Sequence, residues 1–228
     1  MIDALPFVAR LAAGVAVARV GRDPEGVHQI RVLSRRLDVW LRLGGHRALR
    51  DDLRWLRAGS ARARDLDVLA RLVDKPARSA VRAARRAAQA DLLMILDHPR
   101  TSGLIEALSH LPPIPVDAAV ARAGRLVRDL RARGHQIDAP SADDAAYHSV
   151  RRALRRVRYA GELLGGPVGP LAAAQDAFGA LGDATLIAGW RVDHPMLPEP
   201  ELDTLRAGAR QAWIELASAL SELEDAWS

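Results

Sequence analysis

Apolar residues recur every three or four positions along most of the chain, with charged residues between them, and this is the period of an α-helix. Leucine and alanine, both strong helix formers, supply most of these apolar positions. Alternating runs rich in valine, isoleucine and threonine, which would indicate strands, are missing. The pattern therefore predicts an all-α protein.

Clusters of glycine and proline divide this pattern into helices. The predicted helices cover about 6–19, 25–43, 47–58, 76–96, 103–110, 116–133, a segment through 148–159 that ends at Gly165, 171–181, and 201–227. The predicted breaks include 21–26, 59–60, 74–76, 98–103, 139–144 and 194–200. The densest proline cluster, 112–115, predicts a boundary between two helical halves, 1–111 and 116–228.

The composition narrows the class of protein. Aromatic residues make up only 4% of the chain, so we expect a core of leucine, alanine and valine. The chain has no cysteine, which excludes disulfides and thiolate metal sites. Its start does not resemble a secretory signal, and no apolar run approaches the ~20 residues that span a bilayer. We therefore expect a cytoplasmic protein that does not enter a membrane.

Arginine carries almost all of the positive charge, since Lys75 is the only lysine and the net charge is +5. The planar guanidinium group suits bidentate binding of phosphate. A GC-rich genome would produce the same ratio of arginine to lysine, so the positions of the arginines are more informative than their number.

The segment 148–159 has one strongly basic face when it is drawn as a helix. His148, Arg151, Arg152, Arg155 and Tyr159 fall within about 60° of one direction, and apolar side chains fall opposite. Like charges four residues apart cost a few tenths of a kcal/mol each. A face of this kind favours an anionic partner.

The spacing His-x-x-Arg-x-x-x-Arg-Arg occurs twice, at 28–36 and at 148–156. An aspartate segment follows each histidine at a similar distance, at 64–67 and at 182–185. A repeat with matched charges predicts two related helical bundles. If the bundles pack face to face, their two basic helices line a shared channel.

The repeated residues resemble the CHAD family, named for a conserved histidine α-helical domain. The matching segments are 27–37, 53–56, 64–68, 148–159, 162–164, 175–176 and 181–183. The resemblance implies two antiparallel four-helix bundles of related sequence that form one CHAD domain, a basic surface that binds inorganic polyphosphate, and no catalytic activity. Val32, Ala61 and Thr185 depart from the family pattern, and Val32 makes the first basic face thinner than the second.

The residues that we expect to bind polyphosphate lie on the two basic helices and on neighbouring arginine-bearing segments. They are His28, Arg31, Arg35, Arg36, Arg42, Arg64, Arg82, Arg85, Arg86, His148, Arg151, Arg152, Arg155, Arg156, Arg158 and Tyr159. We expect no catalytic residue, cofactor or metal ligand, because no P-loop, dinucleotide-binding or catalytic-triad pattern occurs. Asp65 and Asp67 are more typical of a helix cap and an ion pair than of a metal site.

Two other functions stay open. Nucleic-acid binding would use the same basic faces, but only Tyr159 lies among the arginines as a possible stacking platform. A helical adaptor would use the acidic segment 201–227 to pair with a basic partner or to cover the chain's own basic face. Polyphosphate is favoured because rows of guanidinium groups suit a linear chain of closely spaced charges. A protein that binds polyphosphate could associate with polyphosphate granules in the cytoplasm.

Overall fold

The computed structural model describes residues 1–73, 75–139, 141–193, 195 and 197–227. These residues form ten α-helices, one short 3₁₀ helix and no strand, so the all-α prediction is confirmed. An isolated backbone bridge joins Ile2 to Ile114. None of the described helices is long and apolar enough to cross a membrane.

The chain divides into two compact units. Unit 1 contains Met1, 3–113 and 193–198, and unit 2 contains Ile2, 114–192 and the chain from Glu199 onward. The helices of unit 1 are α1 (Leu5–Val20), α2 (Pro24–Gly44), α3 (Arg50–Gly59), α4 (Ala61–Leu72), α5 (Lys75–Leu96) and α6 (Pro99–Ser109). The helices of unit 2 are α7 (Val116–Gly134), the 3₁₀ turn His135–Ile137, α8 (Asp144–Leu164), α9 (Gly169–Arg191) and α10 (Leu202–Ala226).

The described part of unit 2 has the four α-helices expected of a four-helix bundle, whereas that of unit 1 has six. The difference arises at two breaks in unit 1. Ser60 separates α3 from α4, and its hydroxyl donates to the carbonyl oxygen of Arg57 (3.1 Å). His98 separates α5 from α6, and its Nδ1 accepts from the backbone N–H of Arg100 (3.0 Å), which caps α6.

Three predicted helix boundaries differ from the structure. Helix α2 already begins at Pro24, inside the break predicted at 21–26. Helix α6 continues through 101–103, because the buried hydroxyl of Thr101 donates to the carbonyl oxygen of Ile95 (2.7 Å). Helix α9 continues past 181 to Arg191. Of the other predicted breaks, Asp74, Pro140, His194 and Met196 lie outside the described residues.

The two basic segments lie on helices with matching ends. Asp23 caps α2 by accepting from the backbone N–H of Glu25 (2.8 Å), and Asp143 caps α8 by accepting from that of Ala146 (2.8 Å). A glycine in the left-handed conformation ends each helix, Gly45 with φ 76° and Gly165 with φ 71°. The caps and the glycines have the same positions relative to 28–36 and to 148–156.

Each basic helix packs its apolar side into the core of its own unit. Helix α2 packs mainly against α1, α3 and α4, and α8 packs against α7 and α9. The close approach of α1 to α2 requires Gly26, because a Cβ atom there would lie 2.9 Å from the Cα of Ala18. The fully buried apolar side chains include Val27, Ile30, Leu33 and Leu37 of α2 and Val150, Leu154 and Val157 of α8.

Candidate functional site

The basic face of each helix is limited to its first half. Side chains 28, 31, 35 and 36 of α2 are half-buried, but the helix is buried almost all round from Leu37 to Leu43. Burial changes in the same way along α8, where His148 is exposed and a mostly buried segment begins at Val157. Beyond 36 and 156, Arg42 and Arg158 are partly exposed (28% and 25%), but both are held in ion pairs within their own helix.

Tyr159 does not lie on the exposed face that the sequence predicted for it. Its side chain is buried, with 6% of the residue exposed. Val39 has the same place in α2 and is 1% exposed. A helical wheel puts both positions in the middle of the basic face, so only tertiary packing removes them from it.

Helix α4 adds charge to the basic face of α2. Burial lowers the pKa of His28, and the positive charges of Arg64, Arg71 and Arg35 lower it further, while Glu25 acts in the opposite direction. The imidazole therefore lies in the field of arginines from two helices. Arg71 was missed at the sequence level, although it lies two turns after Arg64 and so on the same side of α4.

An ion pair joins α4 to α5 beside this cluster. Arg85 Nε donates to Asp67 Oδ1 (2.7 Å), and the side chains are only 14% and 8% exposed. Asp67 Oδ2 is buried and has no hydrogen-bond partner among the described residues. Burial raises the pKa of Asp67, against the opposing effects of the hydrogen bond and charge of Arg85 and of the charges of Arg64 and Arg71.

Several residues expected to act in this region have partners in the structure. Arg85 was expected to contact the anion, but its Nε is held by Asp67 and its Nη1 donates to Gln89 (2.8 Å). Asp67 makes an ion pair as expected, whereas the expected cap is wrong because α4 begins at Ala61. The remaining expected residues of α5, Arg82 and Arg86, are exposed and make no ion pair among the described residues.

Arg31 ties α2 to α3. Its Nη1 donates to the carbonyl oxygen of Arg57 (2.6 Å), and Arg57 in turn donates to the carbonyl oxygen of Ser34 (2.9 Å). Burial lowers the pKa of Arg31, and Arg64 adds to this effect, while the charge of Asp65 opposes it. Part of the first basic face is therefore used to join helices.

Asp38 holds two arginines at the buried end of α2. Its Oδ2 accepts from Arg42 Nε (3.0 Å), and its Oδ1 accepts from Arg50 Nε (3.3 Å). Burial acts to raise the pKa of Asp38, but the charge and hydrogen bond of Arg42, together with Arg57 and Arg50, outweigh it, so the pKa is lowered. Arg42, which was expected to bind the anion, is thus engaged by a buried carboxylate.

In unit 2, acidic residues of α7 and α8 pair with arginines of the basic helix. Arg156 Nη1 lies 3.3 Å from Asp129 Oδ2 of α7, and Arg133 of α7 shares the same carboxylate (2.9 Å). Arg158 pairs with Glu162 one turn later (2.9 Å). Exposed Arg152 makes no ion pair among the described residues.

Asp38 and Glu162 each pair with an arginine of the same basic helix. The structure adds Asp67, Asp129 and Asp183. All three come from other helices, so spacing along α2 or α8 could not reveal them. No group of three or more potential metal ligands occurs among the described residues.

The acidic helix α10 uses some of its charges inside unit 2. Glu224 lies 3.3 Å from Arg131 of α7. At the other end of α10, Arg206 lies 2.7 Å from Asp144 at the start of α8. Whether the exposed acids of α10 bind a partner stays a prediction.

Comparisons with known proteins agree with this fold. The sequence model of the CHAD domain matches residues 4–192. The crystal structure of the CHAD domain from the plant Ricinus communis is similar with a TM-score of 0.68 and 22% identity, over 97% of this chain and 87% of that one. PptA from Streptomyces chartreusis is similar with a TM-score of 0.54 and 21% identity, over 100% of this chain and 99% of that one. A search of curated proteins found no match. Because the family model covers most of its length, the chain belongs to the CHAD domain family.

Proposed function

We propose that this CHAD domain binds inorganic polyphosphate through the basic faces of α2 and α8 and does not hydrolyse it. The main support is the cluster around His28, where Arg35, Arg64 and Arg71 all act on one imidazole. Like charges gathered in this way repel one another, and a bound polyanion would relieve that repulsion. The proposal concerns each unit by itself, and the shared channel expected from the sequence stays a prediction.

The arrangement favours an extended polyanion over a single phosphate group. One helical turn, about 5.4 Å, separates successive basic residues along each face. Guanidinium groups bind phosphate oxygens through paired, charge-assisted hydrogen bonds. A linear phosphate chain can meet several of these groups at once, and it makes no demand for base recognition.

Binding without catalysis fits the chemistry of the same residues. Two nearby carboxylates that could accept a proton, Asp67 and Asp129, are held in ion pairs with arginine. Burial and the positive field around His28 lower its pKa and disfavour its protonated form, so it is a poor proton donor before a ligand binds. We therefore assign these groups to binding and to joining helices.

A competition experiment tests the proposal. The protein is bound to immobilised long-chain polyphosphate at fixed salt and displaced with free polyphosphate, duplex DNA, RNA or heparin. We expect free polyphosphate to displace it at the lowest concentration of phosphate equivalents. Displacement by nucleic acid at much lower concentrations would instead support the nucleic-acid function.

Two further measurements complete this test. The logarithm of the affinity should fall linearly with the logarithm of the salt concentration, because binding releases counterions, by analogy with nucleic acids. The length of the polyphosphate after prolonged incubation, read from a gel, should not change. Shortening of the chains would contradict the absence of catalysis.

A further inference from the structure

Arg151 differs from the other arginines of α8 because its guanidinium group is mostly buried without a close acid. The side chain is 23% exposed, and its Nε is buried with no hydrogen-bond partner among the described residues. The nearest acid is Asp183, with 3.9 Å between Arg151 Nη2 and Asp183 Oδ1, which is too long for a hydrogen bond. Burial lowers the pKa of Arg151, while the charge of Asp183 opposes this effect.

The guanidinium group of Arg151 is suited to binding an anion. It carries five N–H donors. Removing such donors from water without replacing their hydrogen bonds costs free energy, and a phosphate group that reaches the exposed part of the side chain would offset part of that loss. The matching residue of unit 1, Arg31, instead donates to a backbone carbonyl oxygen at 2.6 Å.

Gly182 of α9 provides the space that Arg151 occupies. A Cβ atom at position 182 would lie only 2.6 Å from Arg151 Cζ and closer still to Nη1. Glycine inside a helix costs about 1 kcal/mol relative to alanine, so this position is unfavourable for the helix itself. Gly179, one turn earlier on α9, has nothing within 4 Å of the place of its Cβ atom.

We propose that Gly182 is a positioning residue for anion binding by unit 2. The missing side chain lets the guanidinium group of Arg151 lie against α9, partly desolvated and beside Asp183, with N–H donors left for phosphate oxygens. This inference rests on the proposed binding of polyphosphate. It adds that a residue outside the basic helix sets the affinity of that helix for polyphosphate.

The test compares Gly182→Ala with Gly179→Ala, which makes the same change on the same helix. Only the flexible end of Arg151 obstructs a Cβ atom at 182, so both variants should fold and both should gain thermal stability. Gly182→Ala should lose about as much polyphosphate affinity as Arg151→Ala, on the order of tenfold. Gly179→Ala should bind like the unchanged protein.

A double variant separates positioning from a general structural effect. If Gly182 acts through Arg151, then Gly182→Ala should have no further effect on binding in the Arg151→Ala background. Additive losses, or normal binding by Gly182→Ala beside weak binding by Arg151→Ala, would overturn the inference and leave the proposed function standing. If the unchanged protein does not bind polyphosphate at all, the proposed function itself fails.

Discussion

Helices α2 and α8 have the same length, 21 residues, but they arrange their charges differently after the shared arginines. In α2, Asp38 pairs with Arg42, and the N···O distance is 3.0 Å. At the same places in α8, Arg158 pairs with Glu162 at 2.9 Å. The ion pair thus has the same register in both helices and the opposite order of charges.

Because the order of charges is reversed, the sign of the charge at these two positions depends only on pairing within each helix. An ion pair one turn apart stabilises a helix by a few tenths of a kcal/mol in either order, although one order is somewhat better. At four positions, 28, 31, 35 and 36, the basic residues of α2 recur in α8 in the same register and with the same sign. The helix itself does not require a positive charge at these positions, whereas an external anion would.

The two units also place their charge by different means. Unit 1 brings arginines of α4 towards His28, which is half-buried, and has Val32 on its basic helix. Unit 2 has Arg152 at the corresponding place, and His148 is exposed. Unit 1 therefore adds arginines of α4 to its basic face, whereas unit 2 has one more arginine on the basic helix itself.

The largest expected effect concerns the reversed ion pair. Asp38→Ala leaves Arg42 and Arg50 without their buried carboxylate, and we expect it to lower the free energy of unfolding by about 3 kcal/mol. Glu162→Ala breaks the pair of α8, whose carboxylate is more exposed than that of Asp38 (24% against 11%), and should cost about 1 kcal/mol. Urea unfolding at pH 7 measures both values, and equal losses would contradict the comparison.

The loss in Asp38→Ala should depend on pH. The folded protein lowers the pKa of Asp38, so its contribution to stability is fully present above the unfolded value of about 3.9. It is lost as the pH falls through the lower pKa of the folded state. The difference between Asp38→Ala and the unchanged protein should therefore shrink in strong acid, and a constant difference would assign the loss to packing.

The next effect concerns polyphosphate affinity in each unit. Charge reversal of Arg35 and Arg64 in unit 1, or of Arg152 and Arg155 in unit 2, should weaken binding roughly 100-fold, or about 2.8 kcal/mol. Helical content, measured by circular dichroism, should not change. The matched control reverses Arg47 and Arg54, which are exposed and outside the predicted basic faces. An equal loss in the control would mean that only net charge attracts the polyanion.

A smaller effect should follow from making the two faces alike. Val32→Arg gives α2 the charge that α8 has at Arg152, and we expect it to raise polyphosphate affinity about fivefold, or about 1 kcal/mol. Arg152→Val should lower the affinity by a similar factor. The competition assay measures both variants, and no change in either would remove this position from the binding surface.

The smallest expected effect is a pH dependence from His28. Burial and the charges of Arg64, Arg71 and Arg35 lower the pKa of His28 in the free protein, with only Glu25 opposing them. A bound polyanion would raise that pKa, so binding takes up a proton. Affinity should therefore increase a few-fold as the pH falls from about 7.5 to about 5.5.

Phosphate groups also titrate near pH 6, so the variants are needed to isolate the histidine. His28→Asn should remove part of the pH dependence, and the control His148→Asn, at the exposed position, should remove less. If both variants keep the full dependence, the titrating group belongs to the ligand.

Local chemistry allowed the main helices to be predicted from the sequence. The glycines at 44–45 and at 165 indicated the ends of α2 and α8. Neither the burial of Tyr159 nor the pairing of Arg156 with Asp129 could be predicted, because both depend on which helices pack together. The contact of Gly182 with Arg151 was missed for the same reason, since α9 supplies one residue and α8 the other.

The burial of α2 after residue 36 and of α8 after residue 156 has a consequence for protein engineering. We expect Val32 and Arg152 to be exchangeable between the two segments, whereas Arg31 and Arg151 contact neighbouring helices and must be kept. Transplanting outward-facing residues from one helix to the other would give proteins with two identical ligand surfaces. Such chimeras would show whether the affinity of each unit for polyphosphate changes in steps with the number of arginines on its basic helix.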